Sequence, residues 1–275
     1  MKIRSHFGSR ERYAPGRLPP AGQPSSGRTS LDSLSPLPSS QGFTLVELLV
    51  IGPIVMVTIL VIVTFLFNQY GNLVEQNSRL NLRLEAQSIL FSLQDDVWYS
   101  NLFTSGMNGN LSDSYAPSGG WTYNTSPQTM IISTPSLTKN RRDASRQPVY
   151  INQSTCTPPD GNGVNSPLYE NVIYFVSGTN LYKRTLSAPA SLPVCGTPFN
   201  KQTCPPANAS QACPADKLMS DHLSTFVITY YDTDNSIAPT PESAKSLKVD
   251  IGLADKAFGN NITASSSLRL RKINQ

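Results

Sequence analysis

From Leu48 to Phe67 the chain runs for about twenty residues without a charged side chain, interrupted in its apolar character only by Gly52, Pro53, Thr58 and Thr64. Wound as a helix at about 1.5 Å per residue, such a run spans the roughly 30 Å hydrocarbon core of a bilayer. The segment predicts a transmembrane helix, and it divides the chain into a short N-terminal part and a long C-terminal one. Positive charge fixes the orientation. Residues 1–42 hold six basic side chains, Lys2, Arg4, Arg10, Arg12, Arg17 and Arg28, against Glu11 and Asp32, while the rest of the chain is neutral overall. The whole +4 excess therefore lies before the apolar run, which by the positive-inside rule keeps the N-terminus cytoplasmic and sends the C-terminal part outside. A nucleic-acid reading of the basic pI is weakened by the same placement.

Glu47 sits at the edge of this run, where an ionised carboxylate is costly unless it snorkels, neutralises or meets a partner. Around it, Gly42-Phe43-Thr44-Leu45-Val46-Glu47-Leu48-Leu49-Val50 resembles the processing site and helix start of type IV pilins and type II secretion pseudopilins. The resemblance implies that a prepilin peptidase cuts after Gly42, that Phe43 becomes an N-methylated mature N-terminus, and that Glu47 acts in assembly. Gly52-Pro53 departs from the aliphatic continuation usual in that family. Proline removes the hydrogen bond to the Leu49 carbonyl, which predicts a kink tolerated in a membrane. The alternative is an uncleaved single-pass anchor whose Glu47 snorkels to the headgroups.

Residues 1–40 are rich in Pro, Ser, Gly and Arg and lack hydrophobic periodicity, which predicts disorder. This polar stretch precedes the apolar run, and no A-x-A site directly follows the run at Phe67, so an ordinary secretory signal is a poor fit. As a leader it is longer than is usual in the pilin family. Past the bilayer, helical spacing persists in two stripes. One holds Leu73, Leu80 and Leu84, and the other Leu82, Ala86, Ile89, Leu90, Leu93 and Val97. The helix is predicted from about Phe43 to about Leu102, weakest at Asn68 to Gly71, with an amphipathic second half that needs a partner surface.

After Asn101 the period changes to two, with Gly and Pro between short runs. Strands are predicted at Gln128 to Ser133, Pro148 to Asn152, Asn171 to Ser177, Asn180 to Leu186, Ser224 to Tyr231, Ser246 to Leu253 and Ser266 to Lys272. Leu247, Val249, Ile251 and Leu253 alternate with Lys248 and Asp250, the mark of a half-buried antiparallel strand. Val172 to Leu186 reads as a hairpin turning at Ser177-Gly178-Thr179. Its Val172-Ile173-Tyr174-Phe175 and Leu181-Tyr182-Lys183-Arg184 also resemble, more diffusely, minor pilins of the PilW kind and J-type pseudopilins. So do Phe226 to Asp232, Leu247 to Ile251 and Leu268 to Arg271.

All four cysteines, Cys156, Cys195, Cys204 and Cys213, lie beyond the membrane run, which predicts disulfides formed outside the cytoplasm in any of three pairings. A zinc cluster is disfavoured because no CxxC step is present. No hydrolase, metalloprotease, P-loop or dinucleotide motif occurs, and the only histidines are His6 and His222. Asp221 and His222 are expected to lie on an exposed turn, pointing apart as sequence neighbours on loops usually do. Asp232-Thr233-Asp234-Asn235-Ser236 places oxygen ligands at alternate positions but lacks the glycine and closing glutamate of a calcium loop, and reads as a strand-joining turn. Lys139, Asn140, Arg141, Arg142 and Arg146 form a basic cluster without interleaved aromatics, read as a solvated loop.

The combined expectation is an α+β, pilin-like chain: a cytoplasmic leader 1–42, a long helix 43–103 crossing the membrane at 43–67, and a β-rich extracytoplasmic head 104–275. The helix packs on an antiparallel sheet. Neither a catalytic site, a cofactor nor a metal is expected. By the resemblance, the partners are other pilin or pseudopilin subunits, the prepilin peptidase, the membrane and an inner-membrane assembly platform, with the mature form in a cell-surface or periplasmic filament. A type II secretion pseudopilin is the nearest alternative, and an anchored adhesin or DNA-binding module is the alternative from another class.

Overall fold

A computed structural model describes residues 44–123, 129–151 and 166–272. In chain order the elements are the helix α1 (Leu45–Trp98), then β1 (Leu102–Phe103), β2 (Met130–Pro135), β3 (Tyr150–Ile151), β4 (Ser166–Pro167), β5 (Tyr169–Ser177), β6 (Asn180–Leu186) and β7 (Val194–Cys195). A 3-10 turn at Pro206–Asn208 precedes β8 (Lys217–Ser220), β9 (Leu223–Tyr231), β10 (Ser246–Ala257) and β11 (Asn260–Arg271). The chain is thus α+β, one long helix followed by antiparallel sheets. It divides into two compact units whose boundary falls inside α1, between Met56 and Val57.

α1 runs unbroken through Pro53 and through Asn68–Gly71, the stretch expected to be weakest. It ends a few residues before the predicted Leu102. Ser100 donates from both its N–H and its hydroxyl to the Val97 carbonyl, and the Asn101 N–H donates to Ser133 O at 2.9 Å, handing the backbone over to the sheet edge. Of the two apolar stripes, Leu82, Ala86, Ile89, Leu90, Leu93 and Val97 are buried, whereas Leu73, Leu80 and Leu84 are all more than half exposed. The second stripe is the one that needs a sheet, because its residues share one face at spacings of three and four.

β1-β2-β5-β6-β8 form a five-stranded antiparallel sheet, β11-β10-β9 a three-stranded one, and β4-β3-β7 a small third. The main core joins the α1 stripe to Met130, Ile132, Val172 and Tyr174 of the first sheet and to Phe226, Leu247, Val249, Ile251, Leu253 and Leu270 of the second. The first sheet is buried on its other face too. Ile131, Ile173 and Leu186 pack there under Leu111 and Trp121, which explains why β2 and β5 read as continuous apolar runs without alternation. β10 alternates as its sequence predicts, and its outward Lys248 and Asp250 pair at 2.8 Å. Gly252 marks the bulge against β9. A Cβ there would collide with the Thr225 and Ser224 hydroxyls, so a larger residue fits only if those side chains shift.

Candidate functional site

The first described turn holds Glu47 in a specific arrangement. The Glu47 Oε2 accepts from the Thr44 backbone N–H and from the Thr44 hydroxyl, both at 2.9 Å, while the Glu47 N–H donates to Thr44 Oγ1 at 3.3 Å. Thr44 and Glu47 therefore form a reciprocal capping box, satisfying donors that a helix start otherwise leaves open. Its sequence signal is Thr44-x-x-Glu47 before an apolar run, and it supplies a local partner for the carboxylate that the apolar context demands. Gly42 and Phe43 lie outside the described residues.

Beyond this cap, eighteen large apolar side chains between Leu45 and Phe67 are exposed, from 40% at Val63 to 81% at Leu45. Burying one such side chain is worth about 1.5 to 3 kcal/mol, so leaving all of them in water costs tens of kcal/mol. Among the described residues one helix is long and apolar enough to cross a membrane, and it is this one.

Among the described residues, two buried ionic clusters lie on opposite faces of the first sheet. Asp96, in the last turn of α1, has a 4% exposed side chain and meets Arg141 Nη1 at 2.8 Å, Lys183 Nζ at 2.5 Å and the Tyr174 hydroxyl, which donates at 2.6 Å. An acid at a helix C-terminus opposes the helix dipole, and α1 has no basic residue in its last turn. The cations from the loop and from β6 supply what the helix lacks. Burial, and then the Asp96 charge, push the Tyr174 phenol well above its usual range, so it remains a donor.

On the other face Arg184 donates from Nη2 to Asp216 Oδ2 at 2.6 Å and from Nη1 to Asp113 Oδ2 at 2.8 Å, with the Trp121 Nε1–H donating to the same Asp113 oxygen at 2.6 Å. Its guanidinium lies 5.3 Å from the ring centres of both Trp121 and Phe175. The Cys204–Cys213 disulfide is part of this support, because the Cys204 carbonyl accepts from the Asp216 N–H at 2.7 Å. Cys195 is disulfide-bonded as well, and Cys156 lies outside the described residues. Cys204 and Cys213 are therefore not thiolate ligands for a metal.

The basic loop is solvated as expected at Lys139, Asn140, Arg142 and Arg146, but its charges have local partners. Arg141 is committed to Asp96 and Arg142 to Asp95, while Lys139 donates to Ser145 and Arg146 to the Asp143 carbonyl. Asp232 accepts from the Asp234 and Ser236 N–H groups through Oδ1 and from the Ser236 hydroxyl through Oδ2, closing the turn expected there. The expectation that Asp221 and His222 point apart is corrected: His222 Nδ1 lies 2.9 Å from Asp221 Oδ1 and 3.6 Å from Glu85 Oε2 of α1. The turn between β8 and β9 brings His222 near Glu85 of α1, but His222 Nδ1 has no hydrogen-bond partner among the described residues. Glu85, Asp221 and His222 are the described side chains grouped closely enough to share a metal ion.

No family model matches the chain, and no curated protein matches it.

Proposed function

We propose that this chain is a pilin-like filament subunit, a minor one, stored in the membrane by α1 and assembled through the same helix after cleavage between Gly42 and Phe43. The observation that carries the reading is the division of α1. Its first half is a long, mostly apolar surface whose large side chains are exposed, and its second half is built into a β-rich head. A subunit of this design has two acceptable environments for its first half, lipid and the apolar interior of a bundle of like helices, so transfer between them exposes little to water. The role is structural, not catalytic.

The capping box favours a second reading, an uncleaved anchor. In that case Glu47 serves only to start the helix and the head acts as a tethered surface module. Cleavage separates the two. Protein recovered from membranes of cells with an active prepilin peptidase is expected to have a mass that begins at methylated Phe43, and a bulky replacement of Gly42 is expected to block the cut. Recovery of the intact chain with residues 1–42 attached overturns the filament reading in favour of the anchor.

A further inference from the structure

The hairpin joining β10 to β11 turns on two residues, Phe258 and Gly259, between the paired Ala257 and Asn260. Both have positive φ, 51° and 80°, the type I′ geometry that favours Asn-Gly and disfavours a bulky side chain at the first position. Phe258 is nevertheless there and 66% exposed. A strained aromatic held out at a loop tip makes little sense as packing.

Its position on the chain gives it a use. The Phe258 ring lies edge-on to Tyr70, with centroids 6.2 Å apart. Tyr70 is three residues past Phe67, where the apolar run ends, and thus only about 4.5 Å further along the helix, still ahead of the next charge at Glu75. Tyr70, itself 60% exposed, continues one face of α1 with Val63, Leu66 and Phe67, which together line an apolar hollow. From Ala257 to Leu268 the hairpin carries no charge, and the exposed Lys256 flanks the tip. An aromatic pair at the end of a membrane run, with a lysine beside it, has the chemistry of the headgroup boundary, where aromatic rings and snorkelling lysines concentrate.

We propose that the β10–β11 tip is a second membrane contact, in which Phe258, paired with Tyr70, inserts into the headgroup–acyl boundary of the outer leaflet and sets the head against the bilayer. The inference rests on reading α1 as membrane-spanning.

The test uses the full chain in phosphatidylcholine vesicles, with single cysteines introduced as Phe258→Cys, Leu60→Cys or Lys139→Cys and labelled under non-reducing conditions with an environment-sensitive dye. Lipids spin-labelled near the headgroup or deep in the acyl chain act as quenchers. The dye at position 258 is expected to be quenched several-fold more by the shallow quencher than the dye at 139, and that at 60 by the deep one. Deep quenching at 60 with a water-like signal at 258 overturns the inference and leaves the spanning reading intact. Water-like signals at both positions overturn both. Lipid-free shielding of position 258 that develops only as chains associate also overturns it, assigning the tip to a neighbouring subunit.

Discussion

Arg184→Met tests whether the buried charges of the first sheet act as a unit. The arginine side chain is 3% exposed and faces two carboxylates, Asp113 and Asp216, whose side chains are 0% and 1% exposed. Methionine keeps much of the apolar volume between Trp121 and Phe175 but leaves two anions without their cation. Removing one member of such a cluster costs about 3 to 5 kcal/mol, because the remaining charge is desolvated and unpaired. For a domain of this size, at about 2 to 4 °C per kcal/mol, the melting temperature falls by roughly 10 °C. The assay is unfolding of the full chain in detergent micelles followed by tryptophan fluorescence, to which Trp121 reports directly because its ring lies against Arg184. The pH profile separates charge from packing. In the variant the two buried carboxylates are unpaired anions, and neutralising them in acid removes the desolvation cost that the missing cation leaves. The deficit is therefore full at neutral pH and shrinks toward pH 4, and adding Asp216→Asn recovers part of it. A deficit under about 1 kcal/mol that does not change with pH refutes the reasoning.

Glu47→Gln retains a capping-box acceptor without the charge. Normal recovery of this variant in sheared surface fractions, relative to membranes, confines Glu47 to starting the helix, whereas the filament reading expects membrane insertion to persist and recovery to fail. Replacing Cys204 and Cys213 by serine frees a nine-residue separation, and the denaturation midpoint is expected to fall by the equivalent of about 2 to 3 kcal/mol. Burial raises the Glu170 pKa against hydrogen bonds from Asn200 and Ser136, so folding favours its protonated form and stability declines as pH rises through the raised value. Glu170→Gln is expected to match the parent near pH 4 and to exceed it at pH 7 to 8 in the same melts. Phe258→Asn places the preferred residue in the type I′ turn and is expected to raise stability in micelles by about 1 kcal/mol, measured by denaturant titration.

Local spacing is informative wherever one face of one element meets a core. The stripe from Leu82 to Val97, the hairpin from Val172 to Leu186 and the alternation of Leu247 to Leu253 are each fixed in that way. Asp96, Lys183 and Arg184 are different. They look like surface polar residues in a linear reading, and only the register of β6 reveals that Lys183 faces α1 and Arg184 the opposite side. Leu73, Leu80 and Leu84 have helical periodicity without a sheet to meet it. The two-residue strands β1, β4 and β7 carry too few side chains for any period to register, whereas β3 falls inside the predicted Pro148 to Asn152. Thr44-x-x-Glu47 is legible as a capping pattern, but the apolar context of the glutamate points to distant partners before its nearest one.

The main core also has an order of arrival. Its helical stripe is made by residues 82–97 and its last strands by residues up to 270, so during synthesis the apolar stripe emerges far ahead of the surface that covers it. Closing contacts over such separations is slow relative to helix formation. A chain stopped before β10 still has its helix but lacks Leu247, Val249, Ile251 and Leu253. For the whole interval of β-strand synthesis, a nascent chain of this kind presents a greasy ridge just past its long apolar run. A holdase chaperone that covers the ridge is then the nearest available shelter.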